Sequence, residues 1–399
     1  MSIATELKDA GALRLGVVGL GRAFTLMLPT LAGHRRVRMV AACDPRPAAR
    51  DRFTRDFAAR SYPTIEALCD DPDVQALYIA TPHQLHAHHV QVAARAGKHV
   101  LVEKPMAITL ADCESMVAEA KRGGIVLVIG HSHSFNAPIL RSLEIIRSGR
   151  YGPVRMLTAL NFTDFLYRPR RPEELDTQQG GGVVFSQGAH QVDIARLLCG
   201  GKAQSVRAHC GRWDVSRPAD TAYSAQLGFA SGTFATLTYS GFAHFDSDEL
   251  MGWIGELGQR KEPAHYGAAR RRLAGLTADQ ELALKDERAY GAAGAAVPRP
   301  EAHNHFGVVI ASCERADLRP LANGVMVYDD DKAWLDPIAP PSVPRAEVID
   351  EFCDAVAGVR PALHSGEWAM ATLEVCLAIL ESSTSGREVT LRHQIEVPA

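Results

Sequence analysis

The stretch RLGVVGLGRAF, residues 14–24, decides the fold class of this chain. It starts as a short apolar run, typical of a buried strand, and a helical pattern begins near Phe24. Gly19 and Gly21 lie at the junction, where glycines permit a tight turn and a close approach of the backbone to a ligand. A strand that turns through glycines into a helix predicts a dinucleotide site, with the pyrophosphate at the helix N-terminus.

The glycine pattern is incomplete, because Phe24 occupies its third position, but the following sequence supports it. The strand VRMVAACD ends in Asp44, about 20 residues further on, where an acid can bind the adenosine ribose and repel a 2′-phosphate. This position favours NAD, whereas Arg46 leaves NADP open because a guanidinium can meet that phosphate. We expect the first helical turn, with Arg22, Ala23 and Phe24, to complete the cofactor site.

The rest of the chain divides into two patterns. Strands rich in Val, Ile and Leu alternate with helices through residues 1–135, which predicts a Rossmann domain with a doubly wound parallel sheet. Alternating strands at 154–240 predict a second domain, residues 136–399, of the α+β class with a large, mainly antiparallel sheet. Residues 245–300 read as a loop-rich insertion with one short helix.

Composition narrows the class of protein. The 399 residues are 46% hydrophobic and 22% charged, with a net charge of -3, as in ordinary globular proteins. Lys and Arg form no long run, so we expect no nucleic-acid partner. The N-terminal sequence has no apolar segment of a signal peptide, and no apolar run approaches about 18 residues, so we expect a cytoplasmic protein without membrane contact. The eight scattered cysteines form no C-x-x-C motif and predict reduced thiols.

The motif ATPHQLHAHH, residues 80–89, contains four histidines. We expect no metal, because neither a cysteine nor a carboxylate stands at ligand spacing. Thr81, Pro82 and His83 follow a strand at the edge where open α/β sheets bind ligands. These residues and His86 are therefore candidates for cofactor contacts.

The next strand, HVLVEKP at residues 99–105, ends in a charged pair, Glu103 and Lys104. A lysine at this edge, near a nicotinamide, would be partly desolvated, which suits proton exchange with an alcohol. Pro105 would make the turn rigid. The alternative is a strand end that only forms a salt bridge. We expect Glu103 and Lys104 to contact the cofactor and Lys104 also to contact the substrate.

The segment GGGVVFSQGAHQVDIARLL, residues 180–198, becomes helical from about Gln187. His190 and Asp193 are three residues apart and share a helix face. His190 could hydrogen-bond a substrate hydroxyl and relay its proton, with Gln187 as a further contact. The alternative is a buried histidine–aspartate pair that only anchors the helix.

Three arginines precede this helix: Arg168, Arg170 and Arg171. Guanidinium groups bind carboxylates in bidentate fashion, so an anionic substrate is predicted, although a solvated loop would have the same composition. His131 and His133 alternate at a strand end, and His303 and His305 alternate in EAHNHFG, residues 301–307. Either pair is a candidate for the rim of the substrate pocket, with His131, His133 and His303 as expected substrate contacts.

Together these motifs resemble the family of glucose-fructose oxidoreductase, inositol dehydrogenase and MocA, and the run AGKHVLVEKP at residues 96–105 is its most specific motif. The resemblance covers nearly the whole chain. It implies an NAD(P)-dependent dehydrogenase in which Lys104 handles the substrate proton and His190 contacts the reacting hydroxyl. An open antiparallel sheet commonly pairs face to face, so we expect a homo-oligomer, a dimer or a tetramer.

One departure bears on the substrate. Family members that act on sugars and inositol carry an aspartate four residues before the helix histidine, where this chain has Ser186. The motifs SQGAHQVD, YRPRRPEELD and ASCERADLRP instead resemble the branch of phthalate 4,5-cis-dihydrodiol dehydrogenases. That resemblance implies oxidation of a cis-diol on a cyclohexadiene dicarboxylate to a catechol, a step of phthalate degradation and aromatic catabolism, with the arginines holding the carboxylates.

Two other functions stay open at this point. One is a sugar or polyol dehydrogenase of the same family. The other is a non-catalytic regulator that senses a dinucleotide, although such a sensor would need neither Lys104 nor His190.

Overall fold

The computed structural model describes residues 11–292 and 299–398, which form two compact units. The described parts of the first unit are residues 11–131, 286–292 and 342–370. The second unit holds residues 132–285, 299–341 and 371–398. The sequence assigned nothing beyond residue 135 to the first domain, so its two later segments are a finding of the structure. The segment 342–370 joins the first unit partly because the Ile129 N–H donates to the His364 carbonyl at 3.0 Å.

The first unit is built on a parallel sheet, as the sequence predicted. Within the described residues it has six strands in the order β3-β2-β1-β4-β5-β6. The strands are β1 Leu13–Val18, β2 Val37–Cys43, β3 Arg60–Tyr62, β4 Ala76–Ile79, β5 His99–Val102 and β6 Leu127–Ile129. The chain order reverses between β1 and β4, and β4 is buried on both faces, which confirms the doubly wound Rossmann fold.

The second unit holds a mainly antiparallel sheet, which confirms the predicted class. Its nine strands among the described residues follow the order β14-β13-β12-β11-β7-β10-β9-β8-β15, and β7 pairs with β10 in parallel. The strands are β7 Val154–Phe162, β8 Ala203–Gly211, β9 Ala222–Phe229, β10 Phe234–Ser240, β11 Val308–Cys313, β12 Ala316–Leu321, β13 Gly324–Asp329, β14 Ala333–Pro337 and β15 Val389–Thr390. The predicted stretch, 154–240, thus contains fewer than half of these strands.

Helices complete both units. They are α1 Arg22–Gly33, α2 Pro47–Phe57, α3 Ile65–Cys69, α4 His86–Arg95, α5 Leu110–Gly123, α6 Ala137–Arg147, α7 Ala189–Leu198, α8 Ala268–Leu273, α9 Ala278–Asp286, α10 Ala346–Val356 and α11 Gly366–Ser385. Short helical turns lie at His83–Leu85, His133–Phe135, Phe165–Tyr167, Pro172–Leu175, Thr177–Gln179, Val184–Gly188, Ser247–Met251 and Pro263–His265. No helix in the described ranges is long and apolar enough to cross a membrane.

The large sheet has two different faces. Leu157 and Leu237 lie on the face that is buried, and α7 packs there because Gln191 bonds the Tyr223 hydroxyl at 2.7 Å and the Thr238 carbonyl at 3.1 Å. Alternate residues of the same strands point to the opposite face, which is more exposed. The buried face therefore holds the helix that carries His190.

The insertion contains more helix than the sequence predicted, since both α8 and α9 fall within residues 245–300. Residues 293–298 of this segment, and residues 1–10 of the N-terminal sequence considered above, lie outside the described residues.

Candidate active site

The glycine turn between β1 and α1 has the shape of an anion cradle. Gly19 has a φ of 91°, and a Cβ there would lie 2.9 Å from the Ala80 carbonyl oxygen. A Cβ on Gly21 would meet no atom within 4 Å, so the space above this residue is open. In the described part of the chain no side chain caps α1, which leaves the N–H groups of its first turn directed at this space. The turn therefore fits a pyrophosphate.

The side chain of Phe24 is fully buried and packs edge-on against Tyr290, with ring centroids 5.2 Å apart. Its contribution to a cofactor site is therefore limited to the backbone of the first turn. Arg22 and Ala23, by contrast, are partly exposed at the start of α1.

Asp44 ends β2 and is hydrogen-bonded at both carboxylate oxygens. Oδ2 accepts from the Leu20 N–H at 2.8 Å, and Oδ1 accepts from the Arg46 N–H at 2.9 Å. The Arg46 guanidinium adds two bonds, Nε to Oδ1 at 2.9 Å and Nη2 to Oδ2 at 3.0 Å. Burial raises the pKa of Asp44, but these hydrogen bonds outweigh it and hold the pKa below its usual value. Since a carboxylate offers about four acceptor positions, a ribose could bind Asp44 only if Arg46 moved.

His86 is buried beneath the carboxyl edge of the first sheet. Its Nε2 lies 3.0 Å from the Thr81 carbonyl oxygen, and its Nδ1 lies 3.1 Å from that of Pro105 and 3.2 Å from that of Met106. The ring thus bridges the turn after β4 and the turn after β5. Burial lowers the pKa of His86 to about 4. Because both ring nitrogens face the backbone, the structure gives His86 a positioning role.

Pro82 and His83 lie at the same sheet edge. Pro82 precedes the short turn His83–Leu85, and His83 is the first residue of that turn. Pro82 is exposed and His83 is partly exposed, and Thr81 is held by a 3.0 Å contact between its hydroxyl and the His89 Nδ1. Their predicted contacts with a cofactor are compatible with these positions.

Lys104 follows β5 and is half-buried, and the Lys104–Pro105 peptide bond is cis. The neighbouring carboxylate of Glu103 accepts a hydrogen bond from the Tyr78 hydroxyl at 2.6 Å. Burial raises the pKa of Glu103, and the charges of Lys104 and Arg345 oppose this shift. The carboxylate next to Lys104 is therefore held in the interior by a tyrosine.

His190 lies in the first turn of α7 and is buried. Its Nδ1 accepts a hydrogen bond from the His133 backbone N–H at 3.3 Å. In a neutral imidazole the proton must then be on Nε2, so this bond makes Nε2 a donor. The ring packs against the ring of His133, with centroids 4.6 Å apart, and against Phe306 at 4.8 Å. His190 is therefore a fixed donor in an aromatic wall.

The aromatic wall extends beyond the residues that the sequence singled out. The His133 ring packs on Phe306 with centroids 4.9 Å apart, and Tyr239 stacks on Phe306 with centroids 5.9 Å apart. The Asn136 Nδ2 lies 3.0 Å from the His133 Nδ1, which fixes this second ring as well. Phe306 was missed, although it directly follows the histidine pair in EAHNHFG.

Asp193 anchors α7. Its Oδ2 accepts from the Ser134 hydroxyl at 2.5 Å, and its Oδ1 accepts from the Thr372 hydroxyl at 2.9 Å. Arg196, one turn further on, is fully buried and donates from Nη1 to the Thr372 hydroxyl at 2.7 Å. These contacts favour the anchoring interpretation for Asp193.

The remaining candidate residues, His303, Gln187, Ser186 and His131, differ in their contacts and burial. The Nε2 of His303 lies 2.7 Å from the Ala339 carbonyl, and burial lowers the pKa of this histidine. Gln187 is buried and Ser186 is half-buried in the turn Val184–Gly188, a π-helical turn that leads into α7. His131, which belongs to the first unit, is buried at the end of β6.

Two of the arginines before α7, Arg168 and Arg170, pair with the protein's own carboxylates. Arg168 donates from Nε to Asp164 at 2.8 Å and from Nη2 to Glu256 at 3.1 Å. Arg170 lies 3.6 Å above the ring centroid of Phe165 and 3.4 Å from Glu174. The side chain of Glu174 also accepts from the backbone N–H of Arg171 at 2.8 Å. A substrate carboxylate bound here would share these cations with protein carboxylates.

No cluster of three or more His, Cys, Asp or Glu side chains that could hold a metal ion occurs among residues 11–292 and 299–398.

A glycine turn at a helix start, an acid after β2 and a lysine at the sheet edge define a nicotinamide-dependent oxidoreductase. Residues 13–131 match the model of the oxidoreductase family with an NAD-binding Rossmann fold, and residues 139–259 match the GFO/IDH/MocA C-terminal domain. The chain therefore belongs to the Gfo/Idh/MocA oxidoreductase family, and its first unit is an NAD-binding Rossmann domain.

One curated relative and two solved structures are similar to this chain. A 1-carboxy-3-chloro-3,4-dihydroxycyclohexa-1,5-diene dehydrogenase from Comamonas testosteroni is 50% identical, over 92% of this chain and 94% of the relative. The crystal structure of a candidate dehydrogenase from Bordetella bronchiseptica RB50 has a TM-score of 0.91 at 40% identity, over 95% of this chain and 100% of the other. The WlbA dehydrogenase from Bordetella pertussis, solved with NADH and UDP-GlcNAcA, shares the fold with a TM-score of 0.67 at 21% identity, over 96% of this chain and 99% of that chain.

Proposed function

We propose that this dehydrogenase oxidises a cis-dihydrodiol of a cyclohexadiene carboxylate to the corresponding catechol, with the phthalate 4,5-dihydrodiol as the type substrate. The observation that carries the proposal is the aromatic wall of His133, His190 and Phe306. A cyclohexadiene ring presents an unsaturated, nearly flat face that packs on these rings, whereas a polyol such as myo-inositol carries a hydroxyl on every ring carbon. The named activity of the Comamonas testosteroni relative supports the same class of substrate.

The reaction balances as the loss of one hydride and one proton from the diol. A carbinol carbon gives up the hydride and its hydroxyl gives up the proton, so a hydroxyketone forms. This ketone becomes the catechol when a proton leaves the neighbouring ring carbon and another binds the oxygen. NAD, when bound by the first unit, supplies the hydride acceptor. Aromatisation makes the oxidation favourable.

The two predicted catalytic residues, Lys104 and His190, have different roles. Lys104 accepts the proton of the reacting hydroxyl, as the family resemblance implies. His190 donates from Nε2 to the hydroxyl oxygen and orients it, because its Nδ1 is bonded to the His133 N–H. With Ser186 in the position of the usual aspartate, Lys104 is the only base in this scheme.

The carboxylate of the substrate binds at Arg168. Within the described residues its hydrogen bonds to Asp164 and Glu256 use Nε and Nη2, so Nη1 can donate to a further carboxylate. The two acids hold the plane of the guanidinium, which gives the site a fixed direction. Arg170 and Arg171 follow in the same loop and add positive charge.

A series of substrates with a decreasing number of carboxylates tests the proposal. Phthalate 4,5-cis-dihydrodiol, a benzoate cis-dihydrodiol and benzene cis-dihydrodiol carry two, one and no carboxylates, and myo-inositol serves as the polyol. NADH or NADPH formation is followed by absorbance. We expect turnover with NAD, and kcat/KM about ten- to a hundredfold higher for the carboxylated diols than for benzene dihydrodiol. Preference for myo-inositol would refute the proposal, and NAD binding without turnover of any diol would favour the regulator.

We also propose that the exposed face of the large sheet pairs with a second copy of this chain. Met156 and Phe234 are neighbours in register on this face, and Tyr328 lies on it further along the sheet. All three are among the exposed large apolar side chains, and such patches commonly mark interfaces.

A further inference from the structure

The segment of residues 286–292, here called the strap, follows α9 in the insertion but belongs to the first unit. Tyr290 is its buried anchor. The Tyr290 ring lies 5.2 Å from that of Phe24 in α1 and 6.4 Å from that of Phe57 in α2. Its hydroxyl donates to the Asp56 Oδ2 at 2.6 Å. The strap is thus fixed to the two helices that flank the glycine turn and Asp44.

One further contact brings the strap to the residues of the predicted cofactor site. Arg22, the first residue of α1, donates from Nη1 to the Arg288 carbonyl at 3.5 Å. The strap therefore also reaches the first turn of the helix that follows the glycine turn.

We propose that the strap forms the wall of the NAD site beside the adenosine, with Tyr290 as its positioning residue. Its ring packs on α1, which begins after the glycine turn, and on α2, which begins after Asp44. The strap thus joins the two helices that carry the predicted contacts with the pyrophosphate and the ribose.

This inference rests on the NAD-binding role of the first unit and not on the choice of substrate. The test is therefore binding of NADH without substrate, measured by fluorescence titration. Tyr290→Ala removes the anchor, and we expect the Kd for NADH to rise about tenfold. Tyr290→Phe removes only the bond to Asp56 and should have a smaller effect. Tyr266→Ala is the matched control, since this tyrosine lies in the same insertion and its side chain is largely exposed.

A merely structural role for Tyr290 would give a different result. In that case Tyr290→Ala would lower the melting temperature and leave the Kd of the folded protein unchanged, which would overturn the proposal. If Tyr290→Ala does not fold, Tyr290→Phe, which keeps the ring, tests whether the anchor affects the Kd for NADH.

Discussion

At the scale of single residues, the site depends on which nitrogen of His190 carries the proton. The His133 N–H bonds Nδ1, and this one contact assigns the histidine as a donor. The base must then be another group, and Lys104, half-buried at the end of β5, is the residue that the sequence proposes. The loss of Lys104 should therefore be compensated by an added base, and the loss of His190 by another N–H donor.

Replacement of Lys104 tests the base. Lys104→Ala should lower kcat by about 10²- to 10⁴-fold for the diol of that series with the highest kcat/KM, because general base catalysis is lost. The Kd for NADH should rise far less than kcat falls, and an added primary amine should restore part of the rate. His190→Gln, which keeps an N–H donor, should retain more activity than His190→Ala. A kcat of Lys104→Ala close to that of the parent protein would exclude the proposed role.

His86 makes stability depend on pH. Its pKa in the folded protein is about 4, because burial disfavours the charged ring, against 6.5 for an exposed histidine. Between these values the unfolded chain binds the proton and the folded chain does not, so stability is lost as the pH falls below 6.5.

We expect His86 to account for a loss of about 2 kcal/mol in the free energy of unfolding between pH 7 and pH 5. Urea unfolding at both pH values measures it, with His86→Gln as the variant that cannot titrate. The difference between the two proteins isolates this histidine from the other histidines of the chain. The same pH dependence in both would contradict the assignment.

At the scale of secondary structure, α7 positions His190 through buried hydrogen bonds on its other turns. Thr372 of α11 donates to Asp193 and accepts from Arg196, so one hydroxyl serves two turns of α7. Since both partners are buried, removal of this hydroxyl leaves two polar groups with one hydrogen bond fewer.

Thr372→Val should therefore lower the free energy of unfolding by about 1–3 kcal/mol. Because α7 also carries His190, we expect kcat/KM for the diol to fall about three- to tenfold while NADH binding is unchanged. Thr372→Ser keeps the hydroxyl and is the matched control. A variant with Val that is as active and as stable as the one with Ser would show that this bond does not position the helix.

The sequence predicted those elements whose pattern is local. β1, α1 and β2 follow from the glycine turn and the apolar runs around it, and Lys104 was placed at a strand end by the EKP motif. The strands β11 to β15 lie beyond the predicted stretch 154–240 and were not predicted. The tautomer of His190 depends on a backbone N–H that is 57 residues away in the chain, so no local pattern could reveal it.

At the scale of the whole molecule, the sequence indicated two domains but not how the chain is shared between them. The strap belongs to the first unit although residues of the second unit precede it in the chain. The sequence could not predict this, because the aromatic contacts of Tyr290 with Phe24 and Phe57 leave no pattern in the insertion. The family and the fold class could be predicted because their motifs are continuous in sequence. The substrate site could be predicted only in part, because Phe306 and Tyr239 come from distant segments.

The exposed face of the large sheet gives a prediction at the same scale. Phe234→Glu should shift the molecular mass in light scattering toward that of a monomer, since a charge in an apolar interface is costly. Val359→Glu is the control, because Val359 is 70% exposed and lies in the first unit. A parent protein that is already monomeric, or a variant with unchanged mass, would exclude this face as the interface.

The hydrogen bonds of Asp44 have a consequence for the catalytic cycle. A dehydrogenase that uses NAD as a co-substrate must discharge NADH after every turnover, and a very tight grip on the adenosine would slow this exit. Arg46 and the Leu20 N–H together occupy the acceptor positions of Asp44 from within the chain, and Arg46 makes three of these four bonds. If the ribose binds Asp44 as the sequence predicts, Arg46 competes with it, and the spent cofactor would leave by displacement rather than by simple escape.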